Sequence, residues 1–292
     1  MKNLFILLSV FYLTIHSNAQ IINRGTDTKE FQQMMNSKLT FVLTGKAEYD
    51  KKLSNAVHQY WKVTPIDSVS VKDLNKVIQD ESRSFLLPIL FGLTFDFNPG
   101  TSGHQYSSTK SWLSIINGGQ KELRKYSDND AICIAAISLY GNEAEFEDCA
   151  YRLDYIVKGL NDAIELALKK KMTGGAASMP FKMMAEINKN KNILNEKTLV
   201  INKDLTNVYR KDIAEEKKFT NYYTRKYKFV SDKEFKEILN SNSEEYVCLI
   251  PVLEVNKHIL IYEPSTKKTV FYGHGMSGLS VNKKDINEML GK

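Results

Sequence analysis

Two stretches about 160 positions apart carry one pattern, and an internal repeat limits the available folds more than any composition does. From Ser70 the chain reads Ser-Val-Lys-Asp-Leu-Asn-Lys-Val-Ile, then a polar bridge, then Ser84-Phe-Leu-Leu-Pro-Ile-Leu. From Ser231 it reads Ser-Asp-Lys-Glu-Phe-Lys-Glu-Ile-Leu, then a polar bridge, then Glu245-Tyr-Val-Cys-Leu-Ile-Pro. Each follows a short apolar strand, Thr40 to Gly45 in the first and Thr198 to Lys203 in the second. In this alignment Cys248 takes the place of Leu87 and reads as a small buried hydrophobe.

Around these anchors the first unit reads β-α-β-α-β. Tyr49, Leu53, Ala56, Val57 and Tyr60 fall at helical spacing and form one apolar stripe. Lys62 to Val69 reads as a strand. Ser70 with Asp73 three residues on predicts a capped helix start, with Leu74, Val77 and Ile78 as its buried face. Ser84 to Phe97 is an apolar strand. In the second unit Ser231 and Glu234 give the cap, and Phe235, Ile238 and Leu239 the face. Tyr246 to Val255 follows as a strand. A helix is expected between Val208 and Phe219. A hairpin then joins His258–Glu263 to Thr269–Tyr272, and Asn282 with Asp285 opens a last helix. Short apolar strands alternating with short amphipathic helices define an α/β fold of two tandem β-α-β-α-β units, with mixed sheets flanked by helices.

The expected organisation is a signal peptide at 1–19, a first α/β unit at 20–171, a linker at 172–195 and a second unit at 196–292. Lys2, the apolar run Leu4 to Leu13 and Ser17-Asn18-Ala19 have the order of a secretory signal. That run is far shorter than the roughly 20 residues a membrane-spanning helix needs. No Cys follows the cleavage point, so no lipid anchor is expected, and the destination is periplasmic or secreted. Residues 20–37 read as a polar leader. Residues 98–130 are polar and read as a long inserted loop. Leu153 to Leu168 form a long amphipathic helix ending in Lys169-Lys170-Lys171. The formal charge of +6 is too small to define a partner class.

Gly273-His-Gly275-Met-Ser-Gly278 matches G-x-G-x-x-G, but too little chain follows to complete a dinucleotide-binding unit. The histidines do not cluster and zinc spacings are missing. Glu143, Glu145, Glu147 and Asp148 read as a solvated loop before a cation site, as does Asp128-Asn-Asp130. No cofactor, metal or catalytic residue is expected. Cys133 and Cys149 either bridge in an oxidising compartment or remain two buried thiols. The richest stretch for binding is Lys217 to Lys228, where Tyr223, Arg225, Lys226, Tyr227 and Lys228 place rings between cations. As a strand it would point Tyr227 and Phe229 inward and Lys226 and Lys228 outward. His104, in the inserted loop, is a further candidate.

Lys228-Phe-Val-Ser-Asp-Lys-Glu-Phe-Lys-Glu-Ile-Leu239 with the strand Tyr246 to Val252, and more weakly Ser68 to Ile78 with Ser84 to Leu90, resemble the amino-terminal α/β domain of TolB and the curli-secretion lipoprotein (CsgG-like) family. The chain also resembles secreted envelope proteins of Gram-negative bacteria. Such domains act in envelope assembly or as adaptors, without catalytic residues. The resemblance implies an exported, non-enzymatic binding or assembly protein whose partner is an envelope protein or an anionic glycan, not nucleic acid. Rival readings are a secreted hydrolase built around the 98–130 loop and a ligand-binding protein with its cleft between the units.

Overall fold

The computed structural model describes residues 22, 24–96, 105–119, 133–138, 150–175, 178–205, 209–253, 257–275 and 280–291, with only the backbone for parts of the longer strands. The expected signal peptide, His104, Cys149, the acidic run at 143–148 and the Asp128–Asp130 turn lie outside these residues. The chain divides into two compact units, Met1–Pro180 and Phe181–Lys292.

The first unit contains α1 (Lys29–Met35), β1 (Lys38–Leu43), α2 (Ala47–Tyr60), β2 (Ile66–Ser70), α3 (Leu74–Val77), β3 (Arg83–Asp96), β4 (Gln105–Asn117), β5 (Cys133–Ser138) and α4 (Leu153–Lys170). Its sheet has the order β2-β1-β3-β4-β5. β1 is parallel to both neighbours, whereas β3–β4 and β4–β5 are antiparallel. Leu39, Thr40, Phe41 and Val42 are all buried, as a parallel strand covered on both faces requires. On one face Leu74 and Ile78 pack with Val42, Phe85, Leu87 and Ile116. Elsewhere α4 packs on α2 and β5. Its buried Asn161 accepts from the Lys62 backbone N–H at 2.7 Å, just past the end of α2.

Three expectations change here. The polar leader holds a helix: Thr28 caps α1 by accepting from the Phe31 N–H, and Phe31 and Met34 are buried. Buried Asn117 donates to the Glu30 carbonyl at 2.7 Å and accepts from Ser84 at 2.8 Å, which seats α1 on the sheet. The 98–130 stretch is not one loop, because 105–117 form β4, laddered to β3 from Ser84↔Asn117 to Asp96↔Gln105. Serines and threonines hid this strand; an antiparallel partner supplies its hydrogen bonds whatever the side chains are. The capping box predicted at Ser70 does not form: α3 starts at Leu74, and the Ser70 hydroxyl accepts from the Lys72 N–H instead.

The boundary between units falls in α5 (Met179–Ile187), which a 3-10 segment (Asn188–Asn195) extends. Most of the expected linker is therefore helical, with Met183 and Leu194 buried. The second unit continues with β6 (Thr198–Asn202), α6 (Lys211–Ala214), α7 (Glu216–Phe219), β7 (Tyr227–Val230), α8 (Asp232–Leu239), β8 (Tyr246–Leu253), β9 (Lys257–Glu263), β10 (Lys268–Gly275) and α9 (Lys283–Leu290). The single helix expected before Phe219 is two short ones. Ser231 caps α8 through the Glu234 N–H, and Asn282 with Asp285 forms a complete capping box on α9.

The second sheet has the order β10-β9-β8-β6-β7, with β6 parallel to β7 and β8, and β8–β9 and β9–β10 antiparallel. Strand for strand, this is the order and orientation of the first sheet. The short helices also correspond, since α8 packs on β6 and β8 with Phe235, Ile238 and Leu239 buried. One detail of the alignment shifts. Thr40 faces Phe85 and Val200 faces Cys248, so Cys248 sits on the rung of Phe85 rather than Leu87. The chain between helix and strand is longer in the second unit, which moves the register. The corrected register puts Pro88 and Pro251 on the same rung, beyond the ladders to β1 and β6, where an absent N–H costs no ladder bond on that side. Leu74→Ala and Phe235→Ala should each destabilise by about 2–4 kcal/mol in urea unfolding; a loss below about 1 kcal/mol at either would contradict the shared packing.

Candidate functional site

The basic-aromatic stretch forms α7, a turn and β7, the outermost strand of the second sheet. Its rings cluster. Phe219 lies 4.8 Å from Tyr227 and 5.5 Å from Phe229, both edge-on, and 5.5 Å from Tyr223. Tyr227 and Phe229 are partly buried against the main core of this unit. Tyr223, expected as a binding residue, is 1 % exposed. Burial pushes its hydroxyl up to about 12, against the opposing pull of the Arg225 charge. Among the described residues neither the Tyr223 hydroxyl nor Arg225 Nη1 has a hydrogen-bond partner. Tyr223 is therefore core, and its ring offers no stacking surface.

The lysines take the opposite face. Lys228 pairs with Glu234 at 3.2 Å and lies 4.1 Å over the ring of Tyr246. Burial alone would lower its pKa; the hydrogen bonds and charges of Glu234 and Tyr246 outweigh that and raise it. Lys226 is exposed and has no ion pair among the described residues. The predicted alternation of rings and lysines is what the strand presents.

The main chain of β7 adds a feature that residue types did not reveal. Leu199 N–H donates to the Lys226 carbonyl at 3.0 Å, and Lys203 N–H to the Val230 carbonyl at 2.9 Å. With Leu199 opposite Tyr227 and Ile201 opposite Phe229, the backbone groups of Tyr227 and Phe229 point away from the sheet. Among the described residues nothing bonds them. On two other sheet edges a side chain satisfies part of the outer backbone. On β2 the outward Ser68 N–H donates to the Asp67 carboxylate at 2.8 Å, the leading reason that carboxyl sits below its ordinary range. On β10 the Asn188 side chain takes both the N–H and the carbonyl of Tyr272, at 2.8 and 3.0 Å.

Among the described residues the remaining candidates do not come together. Among the described residues no group of three His, Cys, Asp or Glu could hold a metal ion. Gly273 to Gly275 lie in β10 paired with β9, and the rest of the G-x-G-x-x-G stretch lies outside the described residues. A Cβ on Gly273 would meet the Phe271 ring at 3.1 Å, which explains that glycine by packing. His58 rides on exposed helix surface, 6.0 Å from Phe41. His258 is buried with Nδ1 3.0 Å from the Tyr272 hydroxyl. The side chains of Cys133 and His274 lie outside the described residues, so the Cys133–Cys149 bridge does too. Cys248 is a free, buried thiol whose pKa burial pushes up to about 12.

Sequence reasoning missed a buried ion pair. Lys257 Nζ is 2.6 Å from Asp285, which also accepts from the Asn282 N–H, so one carboxylate both caps α9 and neutralises a buried lysine on β9. Only its capping role left a mark in the sequence. No helix among the described residues is long and apolar enough to cross a membrane. No protein-family model matches the chain, and no curated protein or solved structure matches it either. With its thiolate strongly disfavoured, Cys248 should stay unlabelled by a thiol reagent at pH 8 in the folded protein and become labelled in denaturant, as read by peptide mapping.

Proposed function

We propose that the protein is an exported, non-enzymatic component of the cell envelope that binds or helps assemble a partner through the β7 edge. The observation that carries this reading is the pair of outward-facing, unbonded backbone positions at Tyr227 and Phe229, beside the exposed Lys226. An exposed edge left unpaired is a template for association, and proteins ordinarily blunt it. Here β2 and β10 each have a side chain on one outer backbone position, and among the described residues none is so placed on β7. The signal-like amino terminus supports export, and the TolB-like order of elements agrees with an adaptor. The partner is an envelope protein or an anionic glycan, because the approach is cationic.

A photo-crosslinking residue at position 226, in cells expressing the chain with its signal, should trap a discrete envelope partner. The same residue at exposed Lys51 on α2 should not. Lys217→Glu in the cross-linking chain should cut the yield at least fivefold. Retention of the chain in the cytosol, or equal cross-linking from both positions, would overturn the reading.

A further inference from the structure

We infer that the β7 edge takes an extended acidic segment of a partner protein, which adds to the sheet as a sixth strand. This rests on the reading of β7 as the binding edge and names the mode and chemistry of the partner. Main-chain pairing supplies affinity in strand addition, and alternate side chains supply selectivity. On β7 both are legible. Tyr227 and Phe229 offer N–H and C=O groups at ladder spacing on the free side. Another polypeptide matches that spacing residue by residue; a glycan has no matching repeat of donors and acceptors.

The two faces of β7 set the sequence of the incoming strand. One face presents the partly buried Tyr227 and Phe229 beside Phe219. The other presents Lys228, with the exposed Lys226 preceding it in the same alternation. A matching strand therefore alternates apolar residues toward the rings with carboxylates toward the lysines. Charge also selects among occupants. Residues 215–230 contain Lys217, Lys218, Arg225, Lys226 and Lys228 against Glu215 and Glu216, which leaves the stretch net cationic. Lys218 is paired with Glu215 and Lys228 with Glu234, while Lys217 and Lys226 have no ion pair among the described residues. A second copy of this chain paired at the same edge would bring the same cations together, which like-charge repulsion disfavours. An acidic strand neutralises them.

The test uses the whole mature chain and a synthetic hexapeptide, acetyl-Glu-Val-Glu-Phe-Glu-Val-amide. In amide NMR spectra the peptide should shift Tyr227 and Phe229 and slow their hydrogen exchange at least tenfold. Lys226→Glu and Lys217→Glu together should weaken binding at least tenfold with the melting temperature unchanged, and added salt should weaken it further. N-methylating the peptide amides that face β7 should abolish binding, whereas methylating the alternate set should not. Equal binding by both methylated peptides would overturn strand addition. Binding of an acidic oligosaccharide at these amides with none by the peptide would overturn this inference and leave the edge as the binding site. A dimer in sedimentation that the charge reversals disperse would also overturn it. Failure of every ligand here together with failure of the position-226 cross-link would remove the binding-edge reading itself.

Discussion

Both sheets hang on a central strand that is parallel to its two neighbours and buried on both faces. In the first this is β1, with Leu39 to Val42 enclosed; in the second it is β6, with Leu199 to Asn202 enclosed. Much else follows from that requirement. Parallel strands cannot be joined by a tight turn, so each crossover carries helices. Both faces need cover, so α3 and α8 pack on one side through Leu74 and Phe235, while larger helices or clustered short ones cover the other. The antiparallel strands then extend the sheet on one side only, and β2 and β7 are left outermost on the other.

The two outermost strands occupy the same place but are finished differently. β2 carries Asp67, which turns back onto the Ser68 N–H and pairs with Arg83 at 2.8 Å. The corresponding position on β7 is Lys228, a cation that cannot accept from a backbone N–H and instead reaches across to Glu234 and Tyr246. One side-chain difference thus satisfies an outward N–H on β2 that has no such partner at the corresponding place on β7 among the described residues. The buried Lys257–Asp285 pair and the Asn188 bracket on Tyr272 sit elsewhere in the second unit, holding α9 and the far edge in place.

Much of this architecture was legible in the sequence because its signals are local. The stripe Tyr49–Leu53–Ala56–Val57, the Ser231 and Asn282 caps and the repeated strand–helix–strand order all depend on neighbours a few residues apart. What escaped depends on distant partners. β4 is polar along most of its length and is a strand because β3 lies beside it. The register that puts Cys248 level with Phe85 is set by the ladder to β6, which no alignment of residue types records. The candidate site was half legible: alternation placed the rings and lysines of β7 correctly, yet burial of Tyr223 depends on Phe219 and the core beneath it. The open backbone at Tyr227 and Phe229 leaves no mark in side-chain sequence, since an edge is defined by what is missing next to it.

The central claim is that β7 is a formed strand with one side committed to β6 and the other free. Residue-resolved hydrogen exchange of the unliganded protein tests it most directly, because alternate amides along one strand should differ. Lys228 and Val230 amides, which face β6, should be strongly protected, and those of Tyr227 and Phe229 should exchange at least a hundredfold faster. Uniform protection along 227–230 would mean the edge is already covered, and uniform fast exchange would mean the strand is not formed; either result would contradict the account.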